Sequence, residues 1–155
     1  MSQIRKCNGI GETVAKAFRK IALGLPDAAP TPPAPAPGGS DEFLRAYLEC
    51  ALWASTDDSG EPLDKDHDAS DLAPDMLAQA KSDCDDFQAA NAADLALVGS
   101  PGQNGHDFFL TRCGHGAGFW DRGYDKDVAK RLTDNSHAYG DVSLYVGDDG
   151  KIHSN

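Results

Sequence analysis

Residues 26–40, PDAAPTPPAPAPGGS, carry six prolines and no hydrophobic pattern. Proline lacks a backbone donor and fixes φ, so such a run favours extended polyproline II and cannot join a packed core. It is expected to be a semi-rigid tether that divides the chain into two unequal parts. The first 39 residues hold Arg5, Lys6, Lys16, Arg19 and Lys20 against Glu12 and Asp27, a formal charge of +3. Residues 40–155 hold nine basic and 23 acidic side chains, a formal charge of −14. The expected organisation is a basic segment over 1–25, a Pro/Ala-rich linker over 26–40 and an acidic domain over 41–155.

In GIGETVAKAFRKIALGL, residues 9–25, Ile10, Val14, Phe18, Ile21 and Leu25 recur at helical spacing, with Lys16, Arg19 and Lys20 mostly off that stripe. This reads as a basic amphipathic helix that docks a partner or an anionic membrane surface; the plainer alternative is that it neutralises the acidic domain in cis. The four cysteines are far apart, with no CxxC pair. No continuous apolar h-region follows Arg5 and Lys6, so no secretory leader is expected, and free thiols in a reducing bacterial cytosol follow. A surface this acidic repels nucleic acid, so direct nucleic-acid binding is not expected. It suits a binder of basic surfaces or a polyanion mimic, or serves solubility alone.

In the acidic domain, SDEFLRAYLECALWAST predicts a core helix with Ser40 as N-cap and Phe43, Tyr47, Cys50, Leu52 and Trp53 on its apolar side. SDLAPDMLAQAKSDCDDFQAANAADLALV predicts a second, N-capped by Ser70, and GSPGQNG is expected to end it. HDFFLTR, residues 106–112, is aromatic and β-branched and reads as a strand. DKDVAKRLTDNSHAYG predicts a helix with Val128, Leu132 and Tyr139 inward and Gly140 at its C-cap, and DVSLYVGDDGKIHSN predicts a hairpin turning at Asp149-Gly150. The expected fold is α+β: two core helices, then a small, mostly antiparallel three-stranded sheet with one further helix.

Several chemistries fail on spacing. YVGDDG resembles the metal-binding turn of polymerases, but a polymerase needs several hundred residues and facing acids. DKDHDASDLAPD places Asp64, Asp66 and Asp68 where a calcium loop has its first three ligands, yet Ala69 stands where glycine makes the sharp turn and Asp75 where a longer glutamate is usual. Only a weak Ca²⁺ site is expected there, and no other cofactor. His106, Cys113, His115, and His137 or Cys84 offer zinc donors without ligand-pair spacing. Phe119 stands where a dinucleotide fingerprint from Gly114 needs glycine, and no lysine follows the last glycine as in a P-loop.

The strongest candidate is RCGHGAGFWDRG, residues 112–123. Its glycines remove bulk on both flanks of His115, which leaves the imidazole exposed or closely approached by another molecule. Phe119 and Trp120 are expected beneath that ring. Asp121 and Arg122 are expected to pair with each other, or one of them with the histidine. Arg112, His115, Asp121 and Arg122 together suit anion or partner binding, or acid–base chemistry by His115 with Asp121, Asp57 or Asp58. A rigid loop whose polar groups satisfy the backbone is the structural alternative.

HDFFLTRCGHGAGFWDRG together with AYGDVSLYVGDDGKI resembles a family of small uncharacterised bacteriophage and plasmid proteins, which also carry a segment like Ala51–Asp64. The resemblance covers about residues 40–153, and the basic helix and tether lie outside it. It implies no activity. It implies that asparagine often stands in place of Cys113, which speaks against a metal or nucleophile role there. The matching residues are Trp53, Asp57, Asp58, Arg112, His115, Phe119, Trp120, Asp121 and Arg122. The expected role is an acidic accessory protein of a phage or mobile element that binds a host protein, such as a nucleic-acid-handling or defence protein. The alternatives are a small enzyme or nucleotide- or anion-binding protein using His115, and a structural module without a ligand.

Overall fold

The computed structural model describes residues 39–155. The basic helix expected over 9–25 lies outside them, as does the tether through residue 38; the tether's last two positions, Gly39 and Ser40, instead open the first helix. The elements run α1 (Gly39–Ala54), two 3-10 turns (Leu63–Lys65 and Ala69–Asp71), α2 (Pro74–Ala90), α3 (Ala92–Leu95), α4 (Pro101–Arg112), a third 3-10 turn (Phe119–Asp121), α5 (Lys126–His137), β1 (Leu144–Val146) and β2 (Ile152–Ser154). This is an α+β fold, dominated by helices. No helix among the described residues is long and apolar enough to cross a membrane.

The main departure from expectation is residues 101–112. HDFFLTR is not a strand; it is the second half of α4. Ser100 is the N-cap, its hydroxyl accepting the Gln103 N–H at 3.3 Å, and Pro101 occupies the first turn, where its missing donor is harmless. The stretch GSPGQNG therefore starts a helix rather than ending one, because the previous helical segment has already closed at Leu95. The sheet accordingly has two strands, not three: β1 and β2 pair antiparallel, with Leu144 opposite Ser154 and Val146 opposite Ile152. Ile152 is fully buried, and its carbonyl accepts the Ala73 N–H at 2.8 Å, which fastens the hairpin to the entrance of α2.

That entrance is not capped by Ser70. Asp68 caps the preceding 3-10 turn, accepting from Ser70 N at 2.7 Å while Asp71 accepts from Asp68 N, and α2 begins one turn later at Pro74. α2 also ends earlier than its composition suggests. Asn91 is buried, donates to the Phe87 carbonyl at 2.9 Å and accepts from Asn135 at 2.6 Å, so the backbone turns there into the short α3. The inward face of α5 holds, with Val128 and Leu132 buried and Tyr139 packed on the core, but the C-cap is Ala138; Gly140 lies two residues beyond it, with a positive φ of 68° and its N–H on the His137 carbonyl.

The core is aromatic. Phe87 and Phe108 stack with ring centroids 4.0 Å apart, and Phe43, Tyr47, Phe109, Phe119 and Tyr139 surround them. Rings of this size each contribute roughly 1.5–3 kcal/mol by burial, plus a smaller term for their mutual geometry. Two of them, Phe108 and Phe109, come from α4, which packs more extensively on α1 than any other pair of elements. The approach is close because Gly105 faces the backbone of Phe43; a Cβ there would overlap the Phe43 carbonyl oxygen. Gly105→Ala is therefore expected to destabilise the domain by about 2–4 kcal/mol, since backbone cannot yield as a side chain can. Gly116→Ala, where a Cβ would meet nothing within 4 Å, is expected to stay within about 0.5 kcal/mol. Urea denaturation of the two variants checks the contrast.

Candidate functional site

The glycine loop is built first as a helix terminator. Gly114 has φ of 65° and its N–H donates to the Thr111 carbonyl at 3.2 Å, while the His115 N–H reaches the Leu110 carbonyl at 2.9 Å. These two bonds form a Schellman motif that satisfies the last carbonyls of α4. Gly118 lies against Thr111, where a Cβ would collide with the hydroxyl that accepts the Phe119 N–H. Gly114 thus serves the turn through its positive φ and Gly118 through its close approach to Thr111, whereas Gly116 has neither a positive φ nor a neighbour that a Cβ would meet.

His115 is exposed. Its ring stacks near Phe109, centroids 6.1 Å apart, rather than on Phe119 and Trp120. Phe119 is fully buried in the core, and Trp120 is exposed over a shallow cleft shared with Tyr124, Lys126 and Lys130. Asp121 accepts the Gly118 N–H at 3.0 Å and comes no nearer than 3.9 Å to Arg122. Asp57 folds back on its own turn, accepting from Ser59 N and Glu61 N, and Asp58 is exposed beside it.

Neither arginine pairs with His115. Arg112 is buried, and its guanidinium donates to Tyr47 Oη (2.9 Å), Asp83 Oδ2 (2.8 Å) and the carbonyls of Gly140 (2.8 Å) and Tyr139 (2.8 Å). It joins α1, α2, α4 and the segment after α5 at one point, between the faces of Tyr47, Phe108 and Tyr139. Arg122 turns back onto Asp107, a fully buried carboxylate, with contacts of 2.7, 3.0 and 3.2 Å. Donating these hydrogen bonds to Asp107 holds the guanidinium above its ordinary pKa. Among the described residues, the loop therefore does not gather Arg112, His115, Asp121 and Arg122 into one cationic cluster.

The zinc donors are equally scattered. Cys84 is in the core, the Cys113 thiol faces the Val142 carbonyl at 3.7 Å, and no group of three or more His, Cys, Asp or Glu among the described residues is placed to hold an ion. In the acidic loop, Asp68 is committed to its capping box.

The structure instead assembles a cleft of about 660 Å³ between α1 and α4. Trp53, 57% exposed, stands beside His106 with ring centroids 6.2 Å apart. Glu49 and Asp64 line the same cleft, as does Arg122, and the floor includes Cys50, whose thiol burial pushes up to about 12. Gln103 donates to Asp107 at 2.9 Å, and His106 Nδ1 is buried without a hydrogen-bond partner. Sequence reasoning missed this site because it set His106 and Asp107 on a strand. Ser100-Pro101, read as N-cap and first-turn residue, would have placed Gln103 and Asp107 one helical turn apart.

No family model, curated protein or solved structure matches this chain.

Two expectations follow from the buried polar groups. Arg122→Met, which strands Asp107 in the interior, is expected to lose about 3 kcal/mol, and the double variant with Asp107→Leu to recover part of it; denaturation of the three proteins checks this. Burial also raises the pKa of Cys50, Cys84 and Tyr47. A group whose folded pKa is raised loses its contribution as pH climbs from the unfolded value towards the folded one. Stability should thus be level up to about pH 8 and fall by about 3–4 kcal/mol by pH 10, as the thiols ionise only in the unfolded chain. Urea midpoints across that range measure it.

Proposed function

We propose that this chain is a small acidic accessory protein, of a phage or other mobile element, that acts by binding a basic host protein. The assignment to phage or mobile elements rests on the resemblance of HDFFLTRCGHGAGFWDRG and its companion segments. The binding role rests on one observation: the domain's few cations are spent internally. Of the nine Lys and Arg side chains in residues 40–155, six are paired within the domain: Lys65 with Glu61, Lys81 with Asp85, Arg112 with Asp83, Arg122 with Asp107, Lys130 with Asp134 and Arg131 with Asp94. Most of the 23 carboxylates have no such partner and project a negative field. That field accelerates encounter with a basic surface and repels nucleic acid, so a nucleic-acid-handling protein is a fitting target and its nucleic acid is not.

The acid–base alternative centred on His115 has less support. Asp121 is engaged by the Gly118 N–H, Asp57 by its own turn and Arg112 by the core, and no carboxylate among the described residues hydrogen-bonds the imidazole to orient it for general-base catalysis.

The test is affinity capture on the immobilised full chain, beside a polyglutamate resin of matched charge. The expected result is a discrete basic protein retained at about 50 mM salt, released by about 0.3 M as screening shortens the field, and absent from the control resin. Retention of the same proteins by both resins overturns the reading.

A further inference from the structure

The cleft between α1 and α4 has features that plain solubility does not require. An indole is left more than half exposed on a helix whose other large apolar side chains are mostly buried. Trp53 and His106 form a tilted aromatic wall along one side. Glu49 lies one helical turn before Trp53 on the same face of α1, and Asp64 enters from the 3-10 turn opposite. No ion pair engages either carboxylate among the described residues.

The charge balance decides what such a cleft receives. Arg122 lines it but is compensated by Asp107 at 2.7 Å. Cys50 is a neutral thiol. The N-terminal end of α4, at Gly102 and Gln103, carries partial positive charge, which the Ser100 hydroxyl and the neighbouring Glu42 carboxylate offset. Glu49 and Asp64 remain, so the cleft is net anionic and walled by π faces. An anion would meet both carboxylates; an apolar side chain would strand them.

We propose that this cleft binds a guanidinium group, stacked on Trp53 with its edge donating to Glu49 and Asp64, and that the group is an arginine side chain of the basic partner. A planar guanidinium is preferred to an ammonium because it stacks on an indole and presents parallel donors to carboxylates while shedding less tightly held water. Trp53 then acts as the buried aromatic anchor of an interface whose surrounding acids steer encounter. The identity of the bound group as an arginine of a protein rests on the function proposed above; the preference for guanidinium does not.

The test uses the full chain carrying Trp120→Phe, an exposed position, so that Trp53 is the sole indole. N-acetyl-arginine amide should shift the Trp53 emission saturably, with a dissociation constant on the order of millimolar, as befits a single side chain. N-acetyl-citrulline amide, its neutral isostere, should produce no saturable shift, and N-acetyl-lysine amide should bind at least about threefold more weakly. Glu49→Gln with Asp64→Asn should weaken the arginine probe at least about fivefold with unchanged circular dichroism. Equal response to arginine and citrulline probes, or an undiminished response in the double variant, overturns the proposal.

The same variants separate this proposal from the one it builds on. A basic protein captured equally well by the native chain and by the Glu49→Gln, Asp64→Asn variant leaves the binding function standing and overturns the cleft as its seat. A guanidinium probe that binds while no basic protein is captured keeps the cleft and overturns the partner.

Discussion

Everything in the described domain depends on how closely α4 approaches α1. Gly105 sets that distance by leaving the Phe43 carbonyl room that no side chain would allow. At this separation Phe108 reaches the stack on Phe87, Tyr47 meets Phe109 edge-on, and Trp53 comes beside His106. The core and the cleft are two consequences of one helix crossing. Its interior half is filled with aromatic carbon, and its outer half stays open because the small residues Ala46, Cys50 and Gly102 line it.

The second organising principle is the placement of two arginines. Arg112 takes a charge into the aromatic core and satisfies it with a carboxylate, a phenol and two carbonyls. Arg122 does the reverse, lying at the surface and covering a carboxylate that α4 buries completely. Buried pairs of this kind add little to stability relative to apolar groups of equal volume, but breaking them is costly, so they specify one arrangement of the chain. Arg112 fixes where the segment after α5 must pass, and Arg122 fixes the loop after α4 back onto that helix. The glycine loop between them is held at both ends, which is why His115 is exposed without being loose: its own N–H is the final bond of the helix cap.

The division of cations follows from the same economy. A chain with few basic side chains that commits Arg112 to the core beside Asp83, Arg122 to the buried Asp107, and others to exposed pairs along α2 and α5, has little positive charge left to display. The negative field is therefore a property of the folded domain as well as of its composition. Within it the α1–α4 cleft sets carboxylates beside aromatic walls, whereas the cleft under Trp120 and Tyr124 is lined by Lys126 and Lys130.

Local sequence is enough to specify the helices whose apolar residues recur at helical spacing, namely α1, α2 and α5, and the hairpin whose alternation ends at Asp149-Gly150. It determined the acidity, and the need for glycine after α4. These are local properties, set by periodicity, capping and backbone freedom over a few residues. Residues 101–112 were ambiguous because HDFFLTR has the composition of a strand while Ser100-Pro101 has the signature of a helix start, and only packing against α1 gave the helical form its partner. The third strand was lost with that choice. Which carboxylate each arginine would find was equally beyond local reading: Asp83 and Asp107 lie 29 and 15 residues from Arg112 and Arg122. Tertiary structure decided those pairings, and with them the cleft, because burying a charge is tolerable only where the fold delivers its counter-charge, and that delivery depends on how distant segments pack.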